Sequence, residues 1–199
     1  IKTLRERTGA GIMESKRALE ASGAAFVELA RLDAILSDYN ADSELSRLSK
    51  TSGTGRIVPV GKDLWTVLEA SQKLAKRTDG AFDVTVGPFV RRWRVARFTQ
   101  KLPSSEKLAL AGKAVGYQNL ELLTNEHAVK ALLPNMTLDL GGIAKGYAID
   151  KVLAVLRRSG ISSALRSIRR RRLTSIRFCL FRRKPALSLG SESMSCAII

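Results

Sequence analysis

Cysteine is nearly absent. The 199-residue chain has two, Cys179 and Cys196, both near its end. Their spacing fits neither a disulfide framework nor a metal-ligand set, and two isolated thiols in such a segment read as incidental. Histidine is scarcer still: the single one, His127, lies just past an Asn125-Glu126 turn and reads as a solvated loop residue rather than a catalytic one. No apolar run approaches the length that spans a bilayer. The phosphate-binding pattern Gly-x-x-x-x-Gly-Lys-Ser/Thr is missing, and Gly-x-Gly-x-x-Gly does not occur in the chain's central glycine turn. Acidic residues are few, 18 against 34 Lys and Arg, for a net charge of +16.

That charge is uneven. From Leu165 to Ile199 there are eight Arg and one Lys against a single acid, Glu192, a net of +8 in a short tail. Arginine runs bind phosphate backbones, but no aromatic interleaving or repeat supports a nucleic-acid arm here, so nucleic acid is the lesser reading. The rest of the chain, 45% hydrophobic overall, has enough apolar residues for a sizeable core.

The centre of the chain is Met136-Thr-Leu-Asp139-Leu-Gly141-Gly142-Ile-Ala-Lys145-Gly146-Tyr-Ala-Ile-Asp150. Apolar Met136, Leu138 and Leu140 alternate with polar Thr137 and Asp139, which predicts a short strand. Ile149, Val152, Leu153 and Leu156 recur at helical spacing and predict a helix that ends near Gly160. Between them, glycines let the backbone approach a ligand closely, a helix start offers free N–H groups, and Lys145 adds a charge. The pattern suits a phosphate or diphosphate; a plain strand-turn-helix with glycines serving packing alone stays open.

Upstream, helices are expected over the Phe26–Leu36 periodicity, from Asp63 as cap through Lys76, and from Pro103-Ser104-Ser105 with Leu108 and Leu110 inward. Asp42-Ser43-Glu44 reads as a capping sequence. Arg56–Val60 reads as a strand, and Asn119–Thr124 with His127–Leu133 as a hairpin.

Asp139-Leu-Gly-Gly-Ile-Ala-Lys-Gly-Tyr-Ala-Ile-Asp150, with Ser37-Asp-Tyr-Asn-Ala-Asp-Ser-Glu-Leu-Ser-Arg-Leu48 and Gly80-Ala-Phe-Asp-Val-Thr-Val-Gly-Pro88 upstream, closely resembles the FAD:protein FMN transferases, flavin transferases of bacteria long labelled thiamine-biosynthesis lipoproteins. The resemblance covers about residues 24–165. It implies a magnesium-dependent enzyme that moves FMN from FAD to a Thr or Ser of an acceptor protein and releases AMP. It further implies FAD contacts at Tyr39, Ala81, Phe82, Asp83, Asp139 and Lys145, and Mg2+ on the backbone carbonyl of Gly142; no catalytic group is assigned. Five of these keep a plainer alternative: Tyr39 covering a helix end, Phe82 as a buried aromatic, Asp83 as a helix-capping residue in the turn before Val84–Pro88, Asp139 as a hydrogen-bonded strand-end residue, Lys145 as a solvated helix lysine.

Residues 1–23 resemble a different family, the opening helices of elongation factor Ts. They imply a helical hairpin with a turn at Thr8–Gly11 and a stop at Gly23, and an alternative function as a module binding elongation factor Tu. After Leu165 the flavin-transferase pattern breaks. Where a strand ending in Gly-Gly-Asp is expected, the chain reads Arg166-Ser-Ile-Arg-Arg-Arg-Arg-Leu173, a pattern that fits an out-of-frame translation. The remaining metal ligands of the family, an Asp and a Thr, are not identifiable. The expectation is therefore a truncated α+β domain, helices on a mixed or antiparallel sheet, in three parts: 1–23, 24–165 and an irregular basic tail, 166–199. The expectation is little or no transfer activity, with FAD binding surviving only weakly. The family's location implies the cell envelope or periplasm, and with no signal peptide visible the cytoplasm stays open.

Overall fold

The computed structural model describes residues 12–161 and three strands beyond them, at 163–167, 177–181 and 197–198. Its contacts divide the chain into two units, Arg31–Tyr147 and a second that joins Ile1–Ala30 to Ala148–Ile199. The fold class is α+β, with helices and short antiparallel sheets. No helix among the described residues is long and apolar enough to cross a membrane.

Helix α1 (Ile12–Leu36) belongs to both units. It runs unbroken through Gly23, which overturns the expected stop there. Ala21, Ala25, Leu32 and Leu36 are buried at helical spacing on both sides of that glycine. Such packing outweighs the ~1 kcal/mol that a mid-helix glycine costs. Phe26, expected on the inner face, is 42% exposed. The turn expected at Thr8–Gly11 lies outside the described residues.

In the Arg31–Tyr147 unit, Ser43 caps helix α2 (Glu44–Lys50) as its sequence implied, its Oγ accepting from the Ser46 N–H at 3.0 Å. Strand β1 (Val58–Pro59) leads to helix α3 (Lys62–Arg77). There Leu64, Val67, Leu68, Ser71 and Ala75 are buried, joined by Trp65 and Gln72, while Leu74 is only half-buried. Asp63 is not the cap. The N-cap is Gly61, whose N–H donates to Glu44 Oε1 at 2.5 Å. Asp63 sits in the first turn instead and accepts from Arg31 Nη1 at 2.7 Å and from the Tyr147 hydroxyl at 2.5 Å.

Helix α4 (Gly87–Thr99) was not signalled by any apolar periodicity, because only Gly87 and Ala96 of its residues are buried. Helix α5 (Ser105–Gly112) is capped by Ser104, which accepts from the Lys107 N–H. Its Leu110, expected inward, is 61% exposed, and Ala111 takes the buried place. The expected hairpin is present as β2 (Leu120–Leu123) against β3 (Ala128–Ala131), antiparallel, with Leu120 opposite Ala131 and Leu123 opposite Ala128. Strand β1 pairs with the other edge of β3, giving the order β1-β3-β2.

One side chain ties α3 to this sheet. The buried Gln72 donates through Nε2 to the carbonyls of Tyr117 and Leu120, at 2.9 and 2.8 Å. Replacing it by leucine leaves two carbonyls without that donor, and we expect Gln72→Leu to lower the unfolding free energy by about 2 kcal/mol in urea titration.

Helix α6 (Ala144–Arg158) spans the boundary of the two units. In the second unit its Val152 and Leu156 form a small core with Ala21 and Ala25, flanked by Ala18, Leu29 and Ile161. That unit also holds an antiparallel sheet of β4 (Ser163–Ser167), β5 (Arg177–Phe181) and β6 (Ala197–Ile198). The tail expected to be irregular thus contributes strand structure where it is described; Phe178-Cys-Leu-Phe181 is the kind of aromatic and apolar run that favours strands.

Candidate functional site

The two central motif blocks meet through backbone. Val86 forms a parallel bridge with Thr137, and the Asp139 N–H donates to the Val84 carbonyl at 2.8 Å. This is all the strand character that the 136–140 segment has among the described residues, which corrects the expected strand. The Leu138 N–H turns to a side chain, Ser49 Oγ, at 3.2 Å. The alternation nevertheless describes burial: Met136, Leu138 and Leu140 are 0%, 3% and 1% exposed. These apolar anchors fix the height at which Asp139 and the following turn emerge.

The turn is tied by its own aspartate. Asp139 Oδ1 accepts from the Gly141 N–H at 2.8 Å, and a Cβ at Gly141 would come within 2.9 Å of that oxygen. Gly142 has a different neighbour: a Cβ there would lie 3.1 Å from Phe82 Cε2, so the Phe82 ring rests against the turn. The Ile143 and Ala144 N–H groups both return to the Leu140 carbonyl, at 3.0 and 2.8 Å, and start α6. Lys145 and Gly146 follow in the first turn, both exposed. Nothing lies within 4 Å of a Cβ at Gly146.

Asp139's second oxygen reaches a residue that the motifs did not flag. Arg94, on α4, places Nη2 3.2 Å from Asp139 Oδ2 and 2.5 Å from Asp38 Oδ2. Its guanidinium carbon lies 4.0 Å over the centre of the Tyr39 ring, a stacked cation–π contact. Tyr39 nevertheless remains 72% exposed. The structure therefore brings Asp38, Tyr39, Arg94 and Asp139 together at the glycine turn. The one signal for Arg94 in the sequence was five cations without an acid between Val84 and Ser105.

Ala81, Phe82 and Asp83 behave differently from one another. Ala81 is exposed and Phe82 half-buried. Asp83 spends both carboxylate oxygens inside the protein: Oδ1 accepts from the Thr85 N–H and hydroxyl, each at 2.7 Å, and Oδ2 from the Tyr117 N–H at 3.0 Å. The carboxylate closes a turn and does not cap a helix: the N-cap of α4 is Val86, with no side-chain cap. His127 is exposed and lies beside the Trp65 ring, with ring centres 4.9 Å apart.

The arrangement offers an exposed aromatic ring, a cation that buttresses it, and an open helix start carrying Lys145. It can hold a flat ring system joined to an anion. The described residues do not by themselves assemble a magnesium ligand set. They contain no group of three or more His, Cys, Asp or Glu able to hold a metal, and Gly142 offers one carbonyl where magnesium takes octahedral oxygen coordination.

The ApbE family model matches residues 5–168. The chain belongs to the ApbE family. Curated relatives include FAD:protein FMN transferases of Haemophilus influenzae, 36% identical over 125 residues, and Escherichia coli K12, 29% identical over 160. The first alignment covers 61% of this chain and 36% of the relative, the second 78% and 45%. Among solved structures, the ApbE flavin transferase of Vibrio cholerae (H257G mutant) superposes with a TM-score of 0.67 at 26% identity, over 81% of this chain and 50% of that one. The ApbE protein of Thermotoga maritima gives 0.65, also at 26%, over 74% and 47%. The chain thus spans half or less of the length of these ApbE proteins. The ApbE match takes in most of residues 1–23, and the likeness of that segment to elongation factor Ts, with its partner elongation factor Tu, finds no support in these comparisons.

Proposed function

We propose that this chain binds FAD as part of an FAD:protein FMN transferase. The ring end of FAD stacks on the free face of Tyr39. The diphosphate lies at the start of α6, beside the Lys145 side chain and the uncovered backbone of Gly146; the Ile143, Ala144 and Tyr147 N–H groups are already bonded within the turn. In the full reaction a Thr or Ser hydroxyl of an acceptor protein forms a bond to the flavin-side phosphorus. The bridging P–O bond breaks, AMP leaves, and the hydroxyl proton is lost. The residues described here bind and orient FAD.

The observation that carries this reading is Gly146. Gly141 and Gly142 have internal neighbours that a side chain would meet, whereas Gly146 has none within 4 Å. A glycine with no packing reason weakens the first turn of α6 and leaves its backbone uncovered, as a closely approaching ligand requires. Gly146→Ala separates the two roles. We expect the variant to be more stable by about 0.5 kcal/mol and to bind FAD about tenfold more weakly, roughly 1.4 kcal/mol. Thermal unfolding and FAD titration by flavin fluorescence measure both. Unchanged FAD affinity in the stabilised variant would remove the helix start from the site.

A further inference from the structure

We propose that Arg94 is a positioning residue for the ring end of the ligand, acting through Tyr39; this rests on the FAD-binding reading above. Its guanidinium joins three segments far apart in the chain: the Asp38-Tyr39 loop, helix α4 and the Asp139–Gly142 turn. Both carboxylates approach the same nitrogen, Nη2. Without the cation, two like charges would face one another and drive the loop from the turn. With it, the Tyr39 ring is backed on one face by a planar cation while the ring as a whole stays 72% exposed.

The chemistry also says what Arg94 does not do. Its charge is already balanced by Asp38 and Asp139, so it is a poor partner for the diphosphate; that end falls to Lys145 and the helix start. Arg94 therefore selects for a flat heteroaromatic ring rather than for phosphate. Lysine cannot replace it, because an ammonium has neither the fork nor the stacking plane.

The test is a double-mutant cycle on FAD affinity with Arg94→Ala, Arg94→Lys, Tyr39→Ala and the pair Arg94→Ala with Tyr39→Ala, together with amide hydrogen exchange on the ligand-free proteins. We expect Arg94→Ala to weaken FAD about tenfold and Arg94→Lys to restore little of it. In the Tyr39→Ala background Arg94→Ala should add less than about twofold. Exchange at residues 38–41 and 139–142 should rise in Arg94→Ala without FAD. Additive losses, or full rescue by lysine, would overturn the proposal in favour of a general charge effect. If the parent protein takes up no FAD, the functional reading fails by itself. The exchange rates then decide for Arg94 alone, and unchanged rates at both segments overturn its tethering role.

Discussion

Gly87→Ala is expected to cost about 3 kcal/mol or more of stability, the largest single effect of any substitution considered for this chain. The φ angle is not the reason, since Gly87 is not among the positive-φ residues. Space is. A Cβ at Gly87 would lie 2.4 Å from the Thr137 carbonyl oxygen, 2.6 Å from its Oγ1 and 2.8 Å from its carbonyl carbon. Two of those atoms are backbone and cannot swing aside. Relief would require parting the two stretches that carry the motifs, and with them the Val86–Thr137 bridge and the Asp139-to-Val84 hydrogen bond at 2.8 Å. Thr137 Oγ1 is itself buried there, so it cannot turn out to solvent to make room. Urea unfolding of Gly87→Ala against Gly23→Ala tests the argument. At Gly23 nothing lies within 4 Å of a Cβ, so alanine there should stabilise α1 by about 0.5–1 kcal/mol. Equal and small effects at the two positions would show that the motif stretches do not lie as close as the structure has them.

The same junction shows what the sequence could and could not convey. Alternation of Met136, Leu138 and Leu140 reported correctly which side chains are buried. It did not report pairing, because burial repeats every second residue in any extended segment, whether its N–H groups meet a strand, a loop carbonyl or the Ser49 hydroxyl. Helix α3 was legible because its buried residues recur at helical spacing; the β2–β3 hairpin was legible from its Asn125-Glu126 turn between apolar-rich stretches, although Ala128 and Val129 are buried side by side. Helix α4 was not, since Gly87 and Ala96 are too small and too few to make a stripe. That gap hid Arg94, whose partners Asp38 and Asp139 are brought to it only by the fold. Gly23 misled in the opposite sense: a local stop signal was overridden by the buried residues that flank it. Motif residues were thus found by type and spacing, while the residue that joins them depended on tertiary contact.

Asp83 supplies the second large effect, and it separates a ligand residue from a structural one. Its carboxylate accepts three hydrogen bonds, from the Thr85 N–H and hydroxyl and from the Tyr117 N–H. Thr85, fully buried, in turn accepts from the Gly116 N–H at 2.8 Å. The carboxylate therefore holds the Gly80–Pro88 turn against the chain that enters β2. Asp83→Ala removes every acceptor at once and leaves the Thr85 and Tyr117 N–H groups in a partly buried place without that partner. Hydrogen bonds to a charged group are worth about 1.5–3 kcal/mol each when broken singly. They share one group here, so the sum is not additive, and about 3 kcal/mol is the expected loss. Asp83→Asn keeps one oxygen acceptor and should lose roughly half as much. Under conditions where Asp83→Asn is fully folded, its FAD affinity should stay within about threefold of the parent, because the carboxylate is already engaged in three hydrogen bonds within the protein. A tenfold or greater loss of FAD affinity in a folded, barely destabilised Asp83→Asn would instead make the carboxylate a direct contact.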